Sequence, residues 1–79
     1  MTKIDKVFLD ESMDDKRGRD IIESIIHMAK KLDLTTVAEG VENIEQVKVL
    51  RTMGCDIAQG YYYAKPMSTN EFIKHIRGD

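Results

Sequence analysis

One cysteine, one proline and no apolar run approaching a membrane span leave this chain few specialised classes to occupy. A spanning helix needs about 20 consecutive, mostly apolar residues, and no signal-peptide pattern opens the chain either. Cys55 has no second cysteine to pair with, which points to a reducing, cytoplasmic compartment. Neither charge dominates. Twelve Lys and Arg against fourteen Asp and Glu give a net −2, which is no electrostatic footprint for duplex DNA. Low-complexity tracts, linkers and internal repeats are also missing. What remains is 42% hydrophobic and 33% charged over 79 residues, the composition of a folded globular protein. That length allows at most one domain, with a modest buried fraction.

Patterning predicts alternating strands and helices. Lys3 to Phe8 alternates and then turns apolar, which suits a strand and the loop leaving it, and Asp10 to Gly18 is polar. From about Arg19, Ile21, Ile22, Ile25, Ile26, Met28, Ala29 and Leu32 fall at helical spacing, with Lys30 and Lys31 at the negative end of the dipole. Thr35 to Glu39 is short and β-branched, and Gly40 is expected to end it as a strand. Asn43 with Gln46 makes a capping box before an apolar stripe of Ile44, Val47, Leu50 and Met53, and Gly54 follows at a left-handed C-terminal position. Asp56 to Tyr61 is a third strand candidate. Pro66 marks a loop, and Ser68 with Glu71 opens a last helix over 69–77, with Met67 and Phe72 placed as a hydrophobic staple. Strand then helix, three times over, implies parallel strands with helices on one face: a (βα)3 fragment of an α/β, TIM-barrel-like fold.

Side chains alternate across a strand. If Ile4, Ala38 and Ala58 meet the helices, then Lys3, Asp5, Glu39 and Gln59 all face the other way. Polar groups at the carboxyl ends of neighbouring parallel strands converge there, as in a barrel whose active site lies at its top. Glu39 alone would read as a solvated strand-end acid; a consistent parity in three strands is harder to dismiss. Cys55 beside Gly54 reads as a small buried filler, since neither His27 nor His75 stands in an obvious partner position. His27 falls on the polar side of its helix, and His75 answers a helix dipole.

Three spaced motifs carry a family resemblance: Lys3-Ile4-Asp5, then Ala38-Glu39-Gly40-Val41-Glu42, then Gln59-Gly60-Tyr61. With Gly54-Cys55-Asp56 and Lys65-Pro66-Met67, they resemble the last third of an EAL domain, the barrel phosphodiesterase that hydrolyses cyclic di-GMP to linear pGpG. The resemblance implies that Lys3 holds the attacking water, that Glu39 serves a metal, and that Gln59 lies beside that water. It gives Asp5 and Glu42 supporting roles in orienting neighbours and the loop. Tyr61, with Tyr62 and Tyr63, would form a wall near the substrate or, as readily, pack in the core. The implied cofactor is Mg²⁺ or Mn²⁺. Two such ions about 3.5–4 Å apart clamp the attacking and leaving oxygens of a phosphodiester, and they take oxygen ligands such as a glutamate. A lysine ammonium can hold a hydroxide and offset phosphate charge.

The same resemblance shows what is missing. A complete barrel takes about 250 residues, so the chain is expected to be the incomplete carboxyl-terminal third, 1–79. The Glu-Ala-Leu motif and the Asp-Asp-Phe-Gly loop are absent. One carboxylate cannot build a two-metal site, so the expectation is no bound metal and no hydrolysis by the chain alone. The alternative is a non-catalytic module that binds cyclic di-GMP or associates with itself, because one sheet face and two edges would stand open. The expected partner is then a second copy or the missing part of the barrel.

Overall fold

The computed structural model describes residues 1–60 and 66–77. Its elements run β1 (Thr2–Ile4), α1 (Lys6–Ser12), α2 (Lys16–Lys31), β2 (Thr36–Val41), α3 (Ile44–Met53), β3 (Ile57–Gly60), β4 (Met67–Ser68) and α4 (Thr69–Arg77). The four strands form one sheet in the order β1-β2-β3-β4. β1, β2 and β3 pair in parallel, and β4 joins β3 antiparallel. The α/β class and the parallel core of the sheet are as the sequence implied.

Register puts Ile4, Ala38 and Ala58 in one row across the three parallel strands, exposed by only 2%, 0% and 0%. This row belongs to the single core cluster, together with Leu9 of α1, Ile22 and Ile26 of α2, Val47 and Leu50 of α3, and Phe72 of α4. All four helices therefore pack on one sheet face. Burying such side chains contributes about 25 cal/mol per Å² of apolar surface, which is the main driving force of the fold.

Several elements differ from the sequence reading, each for a local reason. The first strand stops at Ile4 because Asp5 takes the N-cap of α1, its Oδ1 accepting from the Phe8 amide at 2.9 Å. The apolar residues Val7 to Leu9 are thus helical: Leu9 is buried and Val7 is 67% exposed. α2 starts at Lys16, three residues earlier than expected, because Asp15 caps it through Gly18 N at 2.6 Å. The strand β2 does not end at Gly40 but runs through it to Val41. The fourth strand, β4, was not expected at all.

The remaining boundaries hold. Asn43 caps α3 through Gln46 N at 2.9 Å, although Gln46 Oε1 returns to the Glu42 amide and not to that of Asn43. Gly54 takes φ +96° after α3, a left-handed residue that closes the helix. Ser68 Oγ accepts from Glu71 N and donates to Glu71 Oε1, both at 3.1 Å.

At the amino-terminal ends of β2 and β3 a polar knot ties the layers. The Thr36 amide and hydroxyl donate to Asp56 Oδ2 at 3.1 and 3.3 Å, and Asp56 N donates back to Thr36 Oγ1 at 3.2 Å. Thr69 Oγ1 donates to the Cys55 carbonyl at 3.3 Å, anchoring the start of α4. Buried polar groups are tolerated when hydrogen-bonded in this way. This end of the sheet serves stability and leaves the other end for chemistry.

Cys55 is 3% exposed in the same region, with Sγ 3.4 Å from the Ile57 carbonyl. Burial pushes its thiol above the ordinary cysteine value. The folded chain therefore keeps this proton to higher pH than the unfolded chain. Stability from this group is complete below about pH 8.5 and is lost as pH rises through the folded value. Urea midpoints between pH 7 and the alkaline side of that window should fall more steeply for the unaltered chain than for Cys55→Ala; parallel slopes would contradict the assignment. A thiol reagent should likewise react only after unfolding.

Candidate functional site at the carboxyl ends of the strands

Opposite the Ile4-Ala38-Ala58 row, the register brings Glu39 and Gln59 together as direct Cα partners on β2 and β3. Adjacent strands lie about 4.8 Å apart, so these two side chains rise as neighbours. Both are half-buried. Lys3 shares their face but stands one pleat back, paired with Val37, two residues before Glu39. That offset is about 6.6 Å along the strand, and the long, flexible stem of a lysine is suited to bridging it. Lys3 is exposed. Val37 and Ile57 continue the Lys3 row across β2 and β3, and Val37 is only 5% exposed.

Asp5 does not complete this set. Its side chain satisfies the first turn of α1, so it belongs to the junction where β1 becomes helix. Glu42 follows β2, exposed, with its carboxylate 2.9 Å from Lys6 Nζ and its amide 2.7 Å from Gln46 Oε1. Both residues orient local structure. Tyr61 lies outside the described residues.

Two features of the site were not read from the sequence. The first is a bulge. Beyond the Glu39–Gln59 pair the register shifts, so that Val41 faces Gly60 and Gly40 is the extra residue. Gly40 sits at φ +70°, a conformation that costs other residues about 1–2 kcal/mol. Bulges of this kind re-aim side chains and are frequent beside active sites. The second is Lys6, whose ammonium pairs with Asp10 and Glu42 together. Donating hydrogen bonds to the carboxylates of Asp10 first, and then of Glu42, raises its pKa above that of an ordinary lysine, so it stays charged. The spacing Lys6-x3-Asp10 suits a helical ion pair, since residues four apart meet on a helix, and the pair forms because Asp5 starts α1 where the apolar run suits a strand and loop.

Among the described residues, no group of three or more His, Cys, Asp or Glu side chains is placed to hold an ion. Glu39 offers one carboxylate, and a hard divalent ion takes six or more oxygens. No catalytic step through a metal follows from these residues alone. Among the described residues, no helix is long and apolar enough to cross a membrane.

A mostly parallel sheet with helices on one face, and with charged and amide groups at its carboxyl ends, is part of a TIM-barrel-like α/β architecture. The EAL domain family model matches residues 1–66, and the chain belongs to that family. It is 42% identical over 69 residues to the oxygen sensor protein DosP of Escherichia coli K12, covering 87% of this chain and 9% of that protein. It is 37% identical over 76 residues to the cyclic di-GMP phosphodiesterase RocR of Pseudomonas aeruginosa, covering 96% of this chain and 19% of that one. An EAL domain protein from Listeria monocytogenes EGD-e superposes with TM-score 0.71 at 34% identity, over 98% of this chain and 31% of that chain. This chain therefore spans a small part of the relatives it matches and is a fragment of the larger domain.

Proposed function

We propose that this chain supplies one wall of a cyclic di-GMP phosphodiesterase site and does not turn over substrate by itself. The observation that carries this reading is the direct pairing of Glu39 with Gln59, with Lys3 on the same face. In it Glu39 is the carboxylate offered to a Mg²⁺ or Mn²⁺ ion, and Lys3 and Gln59 hold the attacking water. Cyclic di-GMP is the substrate, as the name of RocR has it for that relative. The remaining ligands come from the rest of an EAL fold, of which the chain is the carboxyl-terminal third. A free, buried thiol at Cys55 supports a cytoplasmic setting.

The test is cyclic di-GMP hydrolysis with Mg²⁺ or Mn²⁺. The purified chain alone should stay at background. Mixed with a polypeptide covering the rest of an EAL domain, it should produce linear pGpG, and Glu39→Gln should remove that activity. Turnover by the chain alone, or unchanged activity with Glu39→Gln, would refute the reading.

One observation favours a second reading, a self-associating module. On the outer side of α2, Met28 is 64% and Leu32 63% exposed, and Ile21 is 47% exposed, so much of the apolar stripe read from the sequence faces outward. This stripe lies beside Leu34 and Thr2, at the open β1 edge of the sheet. Exposed apolar stripes and open edges are covered by association. Sedimentation at high micromolar concentration should then show a dimer that Met28→Glu with Leu32→Lys returns to monomer. A stable monomer of the unaltered chain would count against this module.

A further inference from the structure

We propose that Lys6 is a positioning residue for Glu39, holding the bulge at Gly40 from the first turn of α1. The inference rests on the reading in which Glu39 performs chemistry. Lys6 follows the α1 N-cap directly, and β1 is paired with β2 through Ile4 and Ala38, so this first turn lies against the end of β2. Its stem covers Gly40 closely: a Cβ built there would fall 2.5 Å from both Lys6 Cβ and Cγ, and 2.9 Å from Cδ. Its ammonium then ties Asp10 on α1 to Glu42, two residues beyond Gly40. The left-handed residue is thus roofed by the stem and flanked by the ion pairs.

An ordinary exposed ion pair does little. What sets this one apart is its position over the one residue where β2 departs from regular pairing with β3. A glycine at positive φ is free to relax into other conformations. Fixing it keeps Glu39 opposite Gln59 and keeps Val41, 2% exposed, turned into the core.

The experiment is heteronuclear NMR on the labelled chain with Lys6→Ala, Lys6→Met and Lys6→Arg. Lys6→Ala should shift the amide resonances of Glu39, Gly40 and Val41 and speed exchange of the Gly40 and Val41 amides about tenfold. Val47 and Leu50, in the core of α3, should keep their protection. Lys6→Met, which retains the stem, should show a smaller shift with faster exchange, and Lys6→Arg should restore both. In the mixture with a polypeptide covering the rest of an EAL domain, Lys6→Ala should lower kcat for cyclic di-GMP with KM unchanged and Lys6→Arg should restore it, a split that a merely structural ion pair would not produce.

Unchanged Glu39–Val41 signals in Lys6→Ala would overturn the proposal, as would a loss of protection spread evenly over the chain that Lys6→Arg does not rescue. If Lys6→Ala does not fold, Glu42→Gln reads the same amides with the stem intact. Absence of turnover in that mixture with the unaltered chain would speak against the phosphodiesterase reading, while the exchange data still decide the role of Lys6.

Discussion

Phe72→Ala is expected to abolish the cooperative unfolding transition of this chain. Phe72 is 1% exposed in the core cluster, where it joins α4 to the sheet beneath. Truncating a buried phenylalanine costs about 3–5 kcal/mol, the lost transfer energy plus the cavity left behind. Native domains hold about 0.05–0.15 kcal/mol per residue, and small ones bury the smaller fraction of their surface. The two magnitudes are comparable for a chain of 79 residues. Circular dichroism against temperature should show a broad, shallow change in Phe72→Ala and a sharp one in the exposed control Lys74→Ala. Equal midpoints in the two variants would mean that α4 is not part of the cooperative core.

Gly40→Val should be nearly as damaging, and for a different reason. The backbone there sits at φ +70°, which a β-branched residue adopts only under strain. The new Cβ would also meet the Lys6 stem at 2.5 Å, and that stem is tethered at its far end by Asp10 and Glu42. Conformational strain alone comes to about 1–2 kcal/mol, before the clash is counted. The urea midpoint should drop clearly, and more for Gly40→Val than for Gly40→Ala. A midpoint as high as that of the unaltered chain would mean that β2 passes this point without a bulge.

Most of the fold was legible because short-range rules and long-range packing agree in it. The stripe Val47-Leu50-Met53 between Asn43 and Gly54 forms the helix that its spacing, its cap and its C-terminal glycine each demanded. The parity of β1, β2 and β3 was legible as well, since alternation fixes which face Ile4, Ala38 and Ala58 take once one of them is buried. Val7-Phe8-Leu9 misled: an apolar run of three fits strand or helix, and only the cap of Asp5 on Phe8 decides between them. The α2 stripe overstated burial, because periodicity marks a face as apolar without saying what lies against it; Met28 and Leu32 stand open here. Two-residue β4 had no periodicity to read.

The candidate site was legible as a set of residue types more than as a geometry. Glu39 and Gln59 each sit before a glycine, and that placement at strand ends could be seen. Their direct pairing depends on register, which the sequence does not state. Counting in twos along β1 groups Asp5 with them, but a strand that ends at Ile4 stops the count. A glycine after a β-branched run suits a strand terminator, but the positive φ of Gly40 makes it a bulge, and the Lys6 stem lies against it.

Lys3, Glu39 and Gln59 rise from one face of three parallel strands. Interstrand nuclear Overhauser contacts in the labelled chain test this most directly. Parallel-strand contacts linking Lys3 with Val37 and Glu39 with Gln59 are the predicted result. Antiparallel contacts between these strands, or a register moved by one residue so that Glu39 turns to the helix side, would contradict it.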